Sequence, residues 1–344
     1  MGKLIQKTST LSATLAGILL LLSWWSPHID PRQFWPAAFL GLFFPYLYIL
    51  CLIIAVLCLI LKKHRAWLMV LVLILCVNLF RKTFINFSFS TGRGNLSLLT
   101  HNVGSSLKGN KKPLWSFYTS LQPDILCFQE WHSGSPLFKL KDSLEKKYHH
   151  TTSSKTNFWP VFSKYPIIRQ GELMSKAPGN GCTWADIQYI QNNKSDTFRV
   201  YNVHLVSNKI SDQTEQLMQT RDLPDKTTWN KVKRVIQKYR KSLHLRVNQA
   251  IELKKHMNQS RHPVILAGDF NDIPASYVYR LLHANLDDAF IKKGNGLAYT
   301  YAGKLPFLHI DNILTAKQIQ MSSLTIKRVN YSDHYPVLAS FELK

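Results

Sequence analysis

Three long apolar runs crowd the first 80 residues, Leu11–Trp25, Pro36–Leu61 and Ala66–Phe80, and nothing comparable follows them. The second holds 26 residues without a charge, more than the roughly 20 a helix needs to cross a hydrocarbon core. Pro45 lies inside it and is expected to kink that helix without abolishing it. The first and third are shorter and must borrow flanking residues, so the expected spans are about 8–25, 36–61 and 66–85. Trp24, Trp25, Trp35 and Trp67 fall at run ends, where interfacial aromatic belts form. A cleaved signal peptide is the alternative for the first run, because Lys3 and Lys7 precede its apolar core. No small-x-small cleavage site follows it.

The pattern changes after residue 85. Asn86–Asn95, rich in Ser, Thr and Gly, reads as a linker. Short β-rich runs bounded by turn residues come next: Leu96–Asn102, Asp124–Gln129, Phe158–Phe162, Cys182–Ile190, Phe198–Val206, Val264–Asp269, His309–Thr315 and Val337–Leu343. Helical periodicity marks Leu114–Leu121, Lys139–Lys147, Thr227–Met257 and Ala275–Ala284. Strands and helices mix without regular βαβ alternation, and no internal repeat or P-loop is present. The expectation is an α/β fold, a layered sandwich with mixed β-sheets over 96–344, preceded by a helical transmembrane region over 1–85.

Charge adds a second asymmetry. Residues 1–85 hold eight of the 43 Lys/Arg and one of the 20 acids, Asp30, which leaves +16 of the net +23 on the remainder. So basic a domain attracts polyanions, either nucleic acid or an anionic membrane surface, although a Lys-rich solvated surface would look the same. With three spans, Lys3, Lys7, Lys62, Lys63 and Arg65 share one side, and Arg32, Arg81 and Lys82 the other. The positive-inside rule then puts the C-terminal domain outside the cytoplasm, and losing one span would reverse that. Five cysteines without metal-type spacing indicate no disulfide framework.

Polar residues gather at the ends of the apolar strands. They are Asn102 in Leu99-Thr100-His101-Asn102-Val103, Glu130 after Asp124-Ile125-Leu126-Cys127-Phe128-Gln129, and His204 in Tyr201-Asn202-Val203-His204-Leu205. Further on stand Asp269 and Asn271 in Ala267-Gly268-Asp269-Phe270-Asn271-Asp272, Asp311 in His309-Ile310-Asp311-Asn312-Ile313-Leu314, and Asp333 and His334 in Ser332-Asp333-His334-Tyr335-Pro336-Val337. Each has an ordinary structural reading: Glu130 a cap or ion-pair partner, His204 a hydrogen-bonded core histidine, Gly268–Asn271 and Ser332–His334 turns. It is their combination that points to chemistry.

In this order and context the motifs resemble the endonuclease/exonuclease/phosphatase superfamily, whose fold is that of pancreatic deoxyribonuclease. The resemblance covers about residues 95–344, and Phe162-Ser163-Lys164-Tyr165-Pro166-Ile167 and Arg246–Leu253 echo its secondary features. It implies a phosphoesterase dependent on Mg²⁺, with Mn²⁺ a possible substitute. Mg²⁺ prefers oxygen ligands and takes one or two carboxylates plus waters and substrate phosphate. By the resemblance, Glu130 is the principal metal carboxylate, with Asn102 and Asp333 completing the metal side. Asp269 positions or deprotonates the attacking water, and Asn271 bonds the phosphate. His334, oriented by Asp311, and His204 contact the phosphate or move protons; which is acid and which is base stays open.

A zinc hydrolase is disfavoured because 13 histidines include no His-x-x-x-His or His-Glu-x-x-His. A serine nucleophile is disfavoured by the lack of Gly-x-Ser-x-Gly. Leu308–Leu314 lacks the arginine of the Trp-Cys-Asp-Arg-Ile-Leu-like motif typical of inositol polyphosphate 5-phosphatases. Between Asp222 and His256, the basic residues Lys231, Lys233, Arg234, Lys238, Arg240 and Lys241 stand with Trp229 and Tyr239 on a helical stretch. That ridge suits nucleic-acid phosphates or anionic headgroups, and a solvated face is its plain reading. The expected partners are therefore a phosphoester substrate (nucleic acid, on charge, ahead of a phospholipid headgroup) and the lipid bilayer, with no obligate protein partner indicated. A catalytically silent, membrane-tethered binding module is the alternative from another class.

Overall fold

The computed structural model describes residues 2–61, 66–89, 92, 94–104, 112–133, 136–153, 158–177, 179–191, 194–207, 226–303 and 307–343. The chain opens with helices α1 (Gly2–Trp25), α2 (Trp35–Leu42), α3 (Phe44–Ile60) and α4 (Ala66–Thr83). The run expected as one kinked helix is two: α2 stops before Phe43, and α3 leaves at 57° to it. Pro45 does not kink a helix interior; it sits in the first turn of α3, where its missing N–H costs nothing. Helix α4 is long and apolar enough to cross a membrane, and α2 and α3 meet that criterion together. The expected first span includes residues 8–10, whose side chains lie outside the described residues. The expected third span ends early, because Ile85 already belongs to a strand.

From there the elements run β1 (Ile85–Asn86), β2 (Leu96–Asn102), α5 (Lys112–Leu121), β3 (Ile125–Gln129), α6 (Lys141–Lys147), β4 (His150–Thr151), β5 (Val161–Ser163) and β6 (Ile167–Ala177). They continue with β7 (Asn180–Gln191), β8 (Lys194–His204), α7 (Lys226–Asn258), β9 (Val264–Asp269), α8 (Tyr277–His283), β10 (Leu286–Asp288), α9 (Ala289–Lys293), β11 (Gly296–Leu297), β12 (Asp311–Ala316), β13 (Gln320–Ile326) and β14 (Val337–Glu342). Two mixed sheets form, ordered β13-β14-β2-β3-β5-β4 and β10-β12-β9-β8-β7-β6. Strands β2, β3 and β9 are buried almost throughout, as central strands covered on both faces must be.

The sheets pack face to face through Leu98, Ile125, Cys127 and Val161 from one and Ala185, Val200, Ile265 and Ile313 from the other. Helices cover the outer faces. On α7, Val247, Ala250, Leu253 and Met257 recur at helical spacing and meet Tyr201, Val203 and Leu266. Across the molecule, Tyr118 of α5 and Leu144 of α6 meet Leu99, Leu126 and Phe128. A four-layer α/β sandwich results, as the mixed pattern indicated.

The helical unit is not a loose tether. Leu20, Phe44, Tyr48 and Leu73 share one apolar cluster with Ile273, Ala275, Leu308 and Ile310 of the sandwich. Burying Ile273, Leu308 and Ile310 there stabilises by roughly 5 kcal/mol, comparable with the net stability of a domain. Asn86, expected to open a linker, is instead buried, because β1 pairs with β11. Its amide donates to the carbonyls of Phe290, Ile291 and Gly294 and accepts from Arg81. Asn86→Ala should therefore lower the unfolding free energy of the full chain by about 2 kcal/mol, read from urea titration.

Candidate active site

Each sheet carries one parallel pair near its centre, and these pairs assemble the site. In the first, β2 and β3 run parallel with Asn102 opposite Gln129; in the second, β8 and β9 run parallel with His204 opposite Asp269. The antiparallel neighbour β12 begins with Asp311, in register with Asp269. Glu130 follows β3 directly, and the Ser332–His334 segment leads into β14. Strand ends from both sheets thus meet at one edge of the sandwich.

Asp269 is the hub. Its carboxylate, 1% exposed, accepts from the Asn102 amide at 3.0 Å, the Asn271 side chain at 3.1 Å and the Asn271 backbone N–H at 2.7 Å. The Nε2 atoms of His204 and His334 stand 3.6 and 3.8 Å from it. The Asn102 amide also donates to Glu130 at 3.1 Å, and His204 Nε2 lies 3.5 Å from the same carboxylate. His204 Nδ1 is 2.7 Å from the Gly179 carbonyl, which can only accept, so Nδ1 carries a proton and Nε2 faces the carboxylates. All eight candidates named from sequence occupy this one site. Asn271 differs in detail, because its amide is spent on Asp269 and on the Leu205 carbonyl.

Two site residues hold strained backbones. Glu130 has φ 54° and Asn271 φ 50°, left-handed conformations that cost an ordinary residue of order 1–3 kcal/mol and cluster at functional sites. Gly268 has φ 136°, and a Cβ there would fall 2.1 Å from the Val203 carbonyl oxygen. Only glycine lets β9 approach β8 so closely beside the hub.

His334 and Asp311 form a buried pair, with Nδ1 2.9 Å from the carboxylate. Burial alone would push the imidazole down, but Asp311, Asp269 and Asp333 outweigh it and raise its pKa to about 10. Burial raises the Asp311 carboxyl above its usual range, against the pull of His334 and with Asp269 adding to the rise. Asp333 is raised by burial first, and the charge of Glu130 adds to that. Crowded carboxyls of this kind are relieved by a cation. Ligand atoms of Asp269, Asp311 and His334 lie within 4.8 Å of one another and could hold one. The Glu130 side chain, 36% exposed, reaches solvent, and with Asn102 and Asp333 it offers the oxygen ligands that a hard cation takes.

Several supporting residues carried no signal of their own in the sequence. Ser332 Oγ donates to the Asn102 carbonyl at 2.8 Å and accepts from the His334 N–H. His101 bridges the Tyr118 hydroxyl and, at 3.1 Å from its Nε2, the His334 carbonyl. Burial lowers the His101 pKa to about 3, so it acts as a neutral strut. Arg246, fully buried, donates to the Val206 carbonyl and to Asp272 beside the hub.

A family model described as endonuclease/exonuclease/phosphatase family matches residues 99–334. The chain belongs to this family. A second model, a domain of unknown function, matches residues 6–83. No curated protein matches the chain. Among solved structures it is similar to a family member from Bacteroides thetaiotaomicron, at 16% identity and TM-score 0.51, over 72% of this chain and 98% of that one. A family member from Bacteroides vulgatus gives 17% identity and TM-score 0.51 over 72% and 99%. The human Nocturnin catalytic domain with bound sulfate gives 15% identity and TM-score 0.50 over 77% and 99%. At such identities the likeness speaks for the fold alone, a mixed-sheet α/β architecture, while the family model supports a phosphoesterase-type enzyme.

His334 gains proton affinity on folding. The stabilisation this brings is complete below its ordinary value of 6.5 and is lost as pH rises toward about 10. With divalent metal chelated, the chain should lose unfolding free energy between those limits, and Asp311→Asn should reduce the slope. Denaturant titrations across that pH range check both.

Proposed function

We propose that the chain is a membrane-anchored, Mg²⁺-dependent phosphoesterase that hydrolyses phosphodiester bonds by in-line attack of water. The observation that carries this reading is the closed set of acids, amides and imidazoles around Asp269, drawn from both sheets. Glu130, Asn102 and Asp333 are the residues suited to Mg²⁺ or Mn²⁺. When bound there, the cation would neutralise phosphate oxygens. Asp269, fixed by its amide donors, orients the attacking water and draws its proton. His334, kept protonated by Asp311, donates through Nε2 to phosphate oxygen, where negative charge gathers. His204 presents its own Nε2 to the same region, anchored from behind by Gly179. Asn271 serves by holding Asp269 in place.

The helices over 2–83 would anchor the enzyme, and the basic count of the short loops favours a catalytic domain outside the cytoplasm. The +16 charge of the remainder suits polyanionic substrates, nucleic acid included. A silent binding module is disfavoured because no acid, imidazole or amide of the set is missing. Glu130→Ala and His334→Ala should each cut Mg²⁺-dependent hydrolysis of bis(para-nitrophenyl) phosphate at least about 100-fold, with unchanged circular dichroism. Chelation should abolish the wild-type activity. Full activity in either variant would sink the assignment.

A further inference from the structure

The helical unit and the active site occupy the same end of the molecule. Helix α1 ends where Ser26 Oγ donates to the Ala275 carbonyl and the Pro27 carbonyl accepts from Arg280. Helix α4 ends where the Lys82 carbonyl bonds His309 Nδ1 and the Phe84 carbonyl accepts from Ala298. Helix α3 starts at that end and runs antiparallel to α4, with Tyr48 stacked on Phe80 at 4.0 Å. A Cβ on Gly41, in the last turn of α2, would lie 2.8 Å from the Ala275 carbonyl oxygen. The sandwich therefore meets α1, α3 and α4 at the ends nearest the site, and the helices extend away from it.

The segments they meet are the catalytic ones. Ile273 and Ala275 follow Asn271 by two and four residues, and Leu308 and Ile310 precede Asp311 by three and one; all four join the apolar cluster of the helices. Tyr301 packs on that cluster and on the His334 ring, with centroids 5.1 Å apart. One aromatic ring thus separates the His334 imidazole from the helical core.

Around this end the surface carries exposed aromatic side chains. Helix α2, at 57° to α3, exposes Phe39, flanked by exposed Phe34 and Phe43. On the side of α4, Phe87 and Phe89 are 73% and 93% exposed. Tyr239 of α7 meets Phe39 edge-on at 6.0 Å, which brings the exposed Lys233, Arg234, Lys238, Arg240 and Lys241 alongside α2. Aromatic side chains at the helix ends with a cationic ridge beside them match an acyl boundary under anionic headgroups. Of the two polyanions the ridge suits by its sequence, nucleic acid or anionic headgroups, its place beside these aromatic side chains favours the headgroups.

We infer that the phosphoester cleaved is the headgroup phosphodiester of a lipid in the same bilayer that holds the helices, taken from the membrane and not from solution. This deepens the hydrolase reading and rests on it and on the anchoring. Water would add to phosphorus, the bond to one ester oxygen would break, and the proton would pass to the departing alkoxide through the site's acid.

The test uses the full chain in phosphatidylcholine vesicles with Mg²⁺. Headgroup-labelled phosphatidylglycerol or sphingomyelin is placed either in the protein's own vesicles or in separate protein-free vesicles. Single-stranded RNA, plasmid and bis(para-nitrophenyl) phosphate complete the set. The inference expects lipid cleavage at least about tenfold faster in the shared vesicles, because tethering sets the effective concentration. Equal rates from both vesicle populations, or cleavage of nucleic acid with both lipids intact, would overturn it while hydrolysis of bis(para-nitrophenyl) phosphate keeps the hydrolase reading standing. Loss of the small diester as well would remove the hydrolase reading, and this inference with it.

Discussion

A carboxylate buried at the seam of two sheets must be surrounded by donors, and Asp269 sets the terms for the rest of the molecule. An unpaired charge at that depth would cost several kcal/mol. Its partners come from β2, from the turn after β9 and from the imidazoles of β8 and the approach to β14. Satisfying one carboxylate therefore fixes the register of both sheets at the same edge. The left-handed turns at Glu130 and Asn271 are held by that demand.

Much of this was legible in the sequence, and the reason is local. Leu96–Asn102 and Val264–Asp269 match strands residue for residue, because central strands read as unbroken apolar runs ended by a polar residue. The same transition marks Asn102 and Asp269 as site residues. Edge and partly exposed strands escaped. Gln320–Ile326 alternates Ser and Thr with apolar residues on a sheet edge, and Ile167–Ala177 carries Arg169, Gln170 and Glu172 on an outer strand. Asn86 looked like the start of a linker because nothing near it in sequence reveals three carbonyls some 204–208 residues away. His101 and Ser332 were hidden for the same reason: their partners are distant in the chain. Helical breaks were also obscure, since Phe43 is as apolar as its neighbours.

The apolar cluster shared by helices and catalytic turns makes two regions, matched by separate family models, into one mechanical body. The turn after Asn271 and the segment before Asp311 are short and would have few restraints of their own. Packed against α1, α3 and α4, they present their carboxyls and amides on a firm base. The packing of the N-terminal helices and the active-site geometry thus depend on the same contacts.

That arrangement bears on whether the sandwich could ever part from its helices. A sandwich severed near residue 90 would turn Ile273, Ala275, Leu308 and Ile310 toward water, all at the rim of the catalytic cleft. Cutting the helices away would yield a sticky, slackened enzyme in place of a well-behaved one. A descendant without the helices would first have to repaint those four positions with polar side chains and find another brace for both turns. The lineage is held to its N-terminal helices by the packing of its own active site.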